Sequence, residues 1–185
     1  MQPIQPIKQL SVIIESLASA DHCLFTLSDL RAILPAISPG AFKVLISRAE
    51  KNGLFKRVCR GLYLYPKVAY QAGLLLFHAA ARLRAGAFNY ISLETALSDA
   101  GVISQLPIDR VTIMSSGRSN VIRCDEWGTI EFVHTAKSPE DLQEQLVYDM
   151  RCHLWRASIP LAVRDMKSAR RNLDLIDWSA VDESV

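Results

Sequence analysis

The chain has 185 residues, 50% of them hydrophobic and 22% charged, a balance that excludes a disordered polymer and is enough for one large domain or two small ones with real cores. The formal net charge is only +2, but from Met1 to Lys67 nine Lys and Arg stand against four Asp and Glu, while the remainder has twelve against fifteen. A basic front on a slightly acidic back suits a nucleic-acid module joined to a part with another task.

Cys23, Cys59, Cys124 and Cys152 form no C-x-x-C pair, so neither a zinc site nor a disulfide framework is expected, and reduced thiols in a cytoplasm are the simplest reading. No basic segment followed by an apolar run opens the chain, so no signal peptide is expected. The most apolar stretch, Ala69 to Ala81, carries Gln71 and His78 and is too short to span a bilayer.

In chain order, Ile7 to Ala20 reads as a helix with Leu10, Ile13, Ile14 and Leu17 inward. Asp21 to Cys23 follow as a link, in which His22 has no partner at a metal-binding spacing. Thr26 reads as the cap of a short helix with Asp29 in its first turn, ending near Pro35. Ser38 caps a second helix with Pro39 at its first position. Phe42, Leu45, Ile46 and Ala49 form its buried stripe, which leaves Lys43, Ser47 and Lys51 toward solvent with Arg48 at their flank, and Gly53 ends it.

Leu54 to Val58 and Leu62 to Tyr65 alternate as strands, and Cys59-Arg60-Gly61 turns between them. Lys56, Arg57 and Arg60 therefore gather on one hairpin, where cations that neutralise phosphates would release counterions. Two helices, a tight turn and a charged hairpin are the layout of a winged helix-turn-helix, whose second helix enters the major groove while the hairpin lies along the backbone. The alternative is a solvated hairpin in an adaptor domain that binds protein rather than DNA.

Pro66 marks the expected boundary between a DNA-binding domain, 1–66, and a C-terminal domain, 67–185. Val68 to Ala85 reads as one long helix, apolar nearly all round, and Phe88 to Ile91 as an extended link into a helix capped by Ser92. From Arg110 the period changes to two. Val111 to Met114, Val121 to Cys124 and Thr129 to Thr135 read as a three-stranded antiparallel meander, turned at Ser116–Ser119 and at Glu126-Trp127-Gly128, with flanking helices over one face.

Ser138-Pro139-Glu140-Asp141 starts a helix whose stripe is Leu142, Leu146, Met150 and Leu154. Pro160 opens a last helix in which Arg164, Lys167, Arg170 and Arg171 crowd one side, either a solvated face or a contact for an acidic partner or nucleic acid. The acidic tail from Asp174 holds Trp178, placed to dock back. The fold class expected is thus α+β, a winged helix-turn-helix followed by a small antiparallel sheet flanked by helices.

The constellations that chemistry needs are missing. No Gly-rich phosphate loop, no G-x-S-x-G elbow and no H-E-x-x-H occurs, and neither a cofactor nor a metal is expected. Ser115 to Ser119 has the small residues and the arginine of a phosphate nest, which would suit an enzyme acting on nucleotides, but a hairpin turn wants the same residues. His134, His153, Asp149 and Glu131 offer acids and bases without a nucleophile or an orienting group.

The hairpin ending KRVCRGLYLYP, the segment YISLETALSDAGVI, and then RVTIMSSGRS and GTIEFVHT together resemble the AbiEi family of antitoxins, found in type IV toxin-antitoxin and abortive-infection operons. The likeness runs from about Phe25 through most of the chain. It implies a non-enzymatic protein whose N-terminal winged helix represses its own promoter at inverted repeats. It also implies a C-terminal domain that counteracts a nucleotidyltransferase-like toxin without a stable complex. Carried onto this chain, the DNA contacts fall on Lys43, Ser47, Arg48 and Lys51 of the second helix and on Lys56, Arg57 and Arg60 of the wing.

Overall fold

The structure is a computed structural model and describes residues 5–104 and 109–182. The protein is of mixed α+β type and divides into two compact units, Met1–Leu75 and Leu76–Val185.

In the first unit the chain runs α1 (Pro6–Leu17), β1 (Leu24–Thr26), α2 (Leu27–Ile33), α3 (Pro39–Lys51), β2 (Lys56–Cys59) and β3 (Leu62–Leu64). The two short helices start where local chemistry dictates. Asp29 N–H donates to Thr26 Oγ1 at 3.2 Å while Thr26 N–H donates to Asp29 Oδ2 at 2.7 Å, a reciprocal cap that satisfies two backbone donors at the start of α2. Ser38 Oγ accepts from Ala41 N–H at 3.3 Å at the head of α3, and Gly53, at φ 73°, turns the chain beyond its end. Leu54 N–H then donates to Ala49 O at 2.9 Å, so Leu54 and Phe55 pack into the core as a link and the strand begins only at Lys56.

The three strands form an antiparallel sheet in the order β1-β3-β2, with Leu24 opposite Leu64 and Lys56 opposite the same residue on the other side. β3 is central, which is why Leu62, Tyr63 and Leu64 are all buried. Leu10 and Ile14 of α1, Leu30 of α2, Phe42 and Ile46 of α3, and Phe25 close the core around it.

The second unit holds α4 from Leu76 onward (the helix spans Leu75–Leu83), β4 (Asn89–Ile91), α5 (Leu93–Asp99), β5 (Arg110–Ser115), β6 (Asn120–Arg123), β7 (Thr129–His134), α6 (Pro139–Leu142), β8 (Leu146–Asp149), β9 (Leu154–Ala157), α7 (Ile159–Ser168) and α8 (Trp178–Asp182). Its six strands make one mixed sheet in the order β6-β7-β5-β4-β9-β8. β5 runs parallel to β7 and β4 parallel to β9, and the remaining neighbours are antiparallel.

Four expectations are corrected here. The meander is not one, because β7 lies between β5 and β6. The reason is burial: Val111 to Ser115 are buried at every position and need a neighbour on each edge, whereas Asn120, Val121 and Arg123 are exposed and fit only the rim. Phe88 to Ile91 is no mere link, since β4 pairs with β5 on one side and β9 on the other.

The long helix over 68–85 is a 3-10 turn at Ala72–Leu74 followed by the nine residues of α4, with Gly73 in the turn that precedes it. The helix expected from Pro139 through Leu154 stops at Leu142 and gives way to the hairpin of β8 and β9. Its supposed stripe fails at Met150, which is 77% exposed, while Val147 and Tyr148 have the branched and aromatic side chains that strands favour.

One polar group lies at the heart of this unit. Asp165 of α7 is completely buried, and its Oδ2 accepts from Tyr90 Oη at 3.0 Å and Ser92 Oγ at 2.8 Å while its Oδ1 faces Lys137 Nζ at 2.9 Å. Ser92 precedes α5 but makes no side-chain cap, because its hydroxyl is committed to Asp165. Asp165 thereby ties the central strand β4 to α7, across a sequence distance that local signals do not span.

Candidate nucleic-acid interface

The exposed side of α3 is set by its buried side. Phe42, Ile46 and Ala49 face the core, so Lys43, Ser47 and Lys51, four residues apart, share the opposite flank and are exposed with Arg48 beside them. The hairpin follows at once. Lys56 and Arg57 are exposed on β2 and Arg60 at the tip, where Gly61, at φ 85°, supplies the left-handed residue that the turn requires. The register shifts between Arg57 and Cys59, so β2 carries an irregularity at its tip end.

Glu50 links the two parts. Its Oε1 lies 3.9 Å from Arg57 Nε, which brings the base of the hairpin against the last turns of α3. A depression of about 440 Å³ beside α3 is lined by Leu27, Arg31, Phe42, Lys43, Ile46, Ser47, Glu50 and Tyr63, among others. Burial pushes the Tyr63 phenol up, with the Glu50 carboxylate adding to it and Arg57 opposing.

Sequence reading missed two members of this surface. Arg31, in the last turn of α2, lies over the Phe42 ring at 5.3 Å, and its Nη1 is buried without a hydrogen-bond partner. Its one sequence signal was its position at the C-terminal end of α2, just before the turn into α3. Glu50 went unnoticed as the single carboxylate amid the cations of α3 and the hairpin.

The basic cluster near the C-terminus does not stay together. Arg164 and Lys167 are exposed on α7, and Lys167 Nζ sits 5.7 Å from the ring of Trp178, which is itself 46% exposed. α7 ends at Ser168, and Arg170, at φ 52°, turns the chain away. Arg171 then points back to the sheet, where its Nη2 pairs with Glu131 and its Nε lies 3.6 Å from Glu94. Three of the four are thus exposed and the fourth is spent on internal ion pairs, because the helix is a turn shorter than its charges suggested.

The four acid and base candidates are not brought together, and His153 stands in the turn from β8 to β9, at the Asp149 end of the sheet. Glu131 and His134 lie on β7 and Asp149 on β8, four strand spacings apart in the sheet order, or roughly 19 Å at the usual strand separation. Asp149 is engaged by Arg151 and Arg156, and His134 Nδ1 is 3.0 Å from Gly117 O. At the Ser115–Ser119 turn, Ser116 N–H already donates to Phe88 O and Gly117 N–H to Ser115 Oγ, so these donors are not available to a phosphate. Among the described residues no group of three or more His, Cys, Asp or Glu could hold a metal, and all four cysteines are free and buried. No helix among them is long and apolar enough to cross a membrane.

Comparison with known proteins adds one finding. Residues 13–66 match the family described as transcriptional regulator, AbiEi antitoxin. No curated protein matches the chain. The matched residues run from the middle of α1 through β3 and so take in α3 and the charged hairpin entire. Over residues 13–66, 54 of its 185 residues, the chain thus matches the model of the AbiEi antitoxin family of transcriptional regulators.

Proposed function

We propose that this protein is a cytoplasmic, non-enzymatic DNA-binding autorepressor and the antitoxin of a type IV toxin-antitoxin system. Its N-terminal unit acts as a winged helix-turn-helix on duplex DNA at inverted repeats in its own promoter. The observation that carries this reading is the juxtaposition of α3 with the hairpin. Six cations, Lys43, Arg48, Lys51, Lys56, Arg57 and Arg60, are exposed there around a single carboxylate, Glu50. Lys43, Ser47 and Lys51 read base edges from α3, and Lys56, Arg57 and Arg60 hold the phosphate backbone. The C-terminal unit counteracts a nucleotidyltransferase-like toxin without a lasting complex, and exposed Arg164, Lys167 and Arg170 are its basic contact points.

A salt titration tests the DNA assignment. Binding of the full chain to its upstream region, followed by fluorescence anisotropy, should weaken steeply as salt rises. Replacing Lys56, Arg57 and Arg60 together with Ala should flatten the slope of log K against log salt by up to about 3. An unchanged slope and affinity would show that the hairpin is not a wing.

The apolar floor of the depression beside α3, made by Leu27, Phe42 and Ile46, favours a second reading, an adaptor whose winged domain grips a protein. An adaptor would show almost no salt-dependent affinity for random duplex, which separates the two.

A further inference from the structure

We propose that β8 is a self-association edge, through which two copies of the chain pair antiparallel about a two-fold axis at Val147. A sheet of this order has two rims, and they are built differently. β6 presents Asn120 and Arg123 to solvent, with Arg118 just before it, the charged and polar side chains by which edge strands resist pairing. β8 itself carries no Lys or Arg, and Arg151 just beyond it is turned onto Asp149. The strand's register with β9 is regular from Leu146 to Asp149, without bulge or proline, and it pairs with no other strand among the described residues.

The side chains around that rim are apolar and in water. Val147 is 72% exposed, Met150 77%, Tyr148 45% and Trp155, across from Tyr148, 43%. The one charge on the strand is Asp149, already neutralised by Arg151 and Arg156. Of the four edge strands β1, β2, β6 and β8, β2 and β6 carry exposed Lys or Arg, the three residues of β1 are buried or partly buried, and β8 alone is exposed with neither Lys nor Arg on it.

The backbone pattern fixes the register. Ser158 N–H donates to Gln145 O at 2.8 Å, so along this antiparallel ladder residues 145, 147 and 149 bond inward to β9. The N–H and C=O groups of Leu146 and Tyr148 therefore face outward. Two copies that exchange these groups, Leu146 with Tyr148 twice, place Val147 opposite Val147 at the axis. No like charges meet, and the pairing closes on itself, whereas β8 against β6 would run on without end. A rim this short buries less than a standard interface, so the dimer is weak and depends on concentration. Nothing here depends on DNA binding, which a monomer could retain.

Sedimentation velocity of the full chain over a wide concentration range reads the proposal directly. A monomer-dimer equilibrium is expected, and Val147→Lys or Val147→Glu alone should abolish it with unchanged melting temperature, since like charges would then meet at the axis. An equimolar mixture of the two variants should restore the dimer. Independently, Val147→Cys should cross-link on mild oxidation, because residues in a non-hydrogen-bonded pair have Cα atoms about 4.5 Å apart, within disulfide reach. A wild-type chain that stays monomeric overturns the proposal. So does a dimer indifferent to both charge variants, a mixture that fails to associate, or growth into open-ended polymers.

Discussion

The phenol of Tyr90, on the central strand of the C-terminal sheet, donates at 3.0 Å to the carboxylate of Asp165 on α7, seventy-five residues further along the chain. Both are completely buried, and Ser92 and Lys137 complete the carboxylate's partners. Burial of Tyr90 first, and the nearby negative charge second, push its phenol well above the ordinary tyrosine range.

The consequences separate two variants. Tyr90→Phe removes one hydrogen bond to a charged acceptor and should cost about 1.5–3 kcal/mol in urea unfolding. Asp165→Ala leaves Lys137 without its carboxylate in a partly buried setting and strips Tyr90 and Ser92 of their acceptor, for about 3–5 kcal/mol.

The pH sign follows from the same bond. Because the folded chain holds the Tyr90 proton more tightly than the unfolded one, its contribution is fully present below the ordinary tyrosine pKa, about 10, and is lost as pH rises above it. Tyr90→Phe should therefore shallow the alkaline fall in melting temperature, and an alkaline limb identical to the wild type would contradict the account.

Asp149 gives the opposite limb. Burial acts to raise its pKa, but the hydrogen bonds from Arg151 and Arg156 outweigh that and hold its carboxyl well below the usual carboxylate range. Its stabilising contribution is present above the unfolded pKa of about 3.9 and is lost only as pH falls below it. Asp149→Asn should reduce stability at neutral pH and leave a smaller further loss between about pH 4 and pH 2, as followed by circular dichroism.

Glu50 opposes its surroundings on the proposed DNA surface. It sits 3.9 Å from Arg57 and lines the same depression as Lys43 and Ser47. Glu50→Gln removes the one carboxylate there and releases Arg57, so affinity for random duplex should rise up to about fivefold at low salt, the scale of a ~1 kcal/mol surface interaction. Weaker binding by the variant would count against this face as the DNA surface.

Among the chain's eight glycines, Gly128 leaves the least room for a side chain. It lies at φ 117°, and a Cβ there would stand 2.0 Å from the carbonyl oxygen of Asp109. Gly128→Ala should destabilise the C-terminal unit by about 3 kcal/mol or more, because the obstacle is backbone rather than a flexible side chain. Thermal unfolding would show it, and a melting point within a degree of wild type would be incompatible with this turn.

Much of the N-terminal unit was legible because its signals are local. The cap at Thr26, the Ser38-Pro39 start, Gly53 and the Arg60-Gly61 turn, one residue tighter than expected because Cys59 pairs with Leu62, each act within about four residues. The charges of α3 and the hairpin could be placed on exposed positions for the same reason. Arg31 could not, since its place over Phe42 depends on how α2 crosses α3.

The C-terminal unit was less transparent. A capping box at Ser138 announces that a helix begins and says nothing of its length, and the spacing of Leu142, Leu146, Met150 and Leu154 fits a helix as well as it fits chance. Arg171 reads as one more surface cation until Glu94 and Glu131, from α5 and β7, are brought to it.

What the amino-acid order determined by itself was where α2, α3 and α6 start, where the β2–β3 hairpin turns and which flank of α3 carries charge, because capping, glycine conformations and helical periodicity work over a few neighbouring residues. Only the tertiary structure decided that β7 lies between β5 and β6, that 146–157 is a hairpin at the sheet's rim, and that Asp165 is buried beneath Tyr90. Those outcomes depend on which side chains lose contact with water when distant segments meet, and burial is a property of the assembled whole rather than of any one segment.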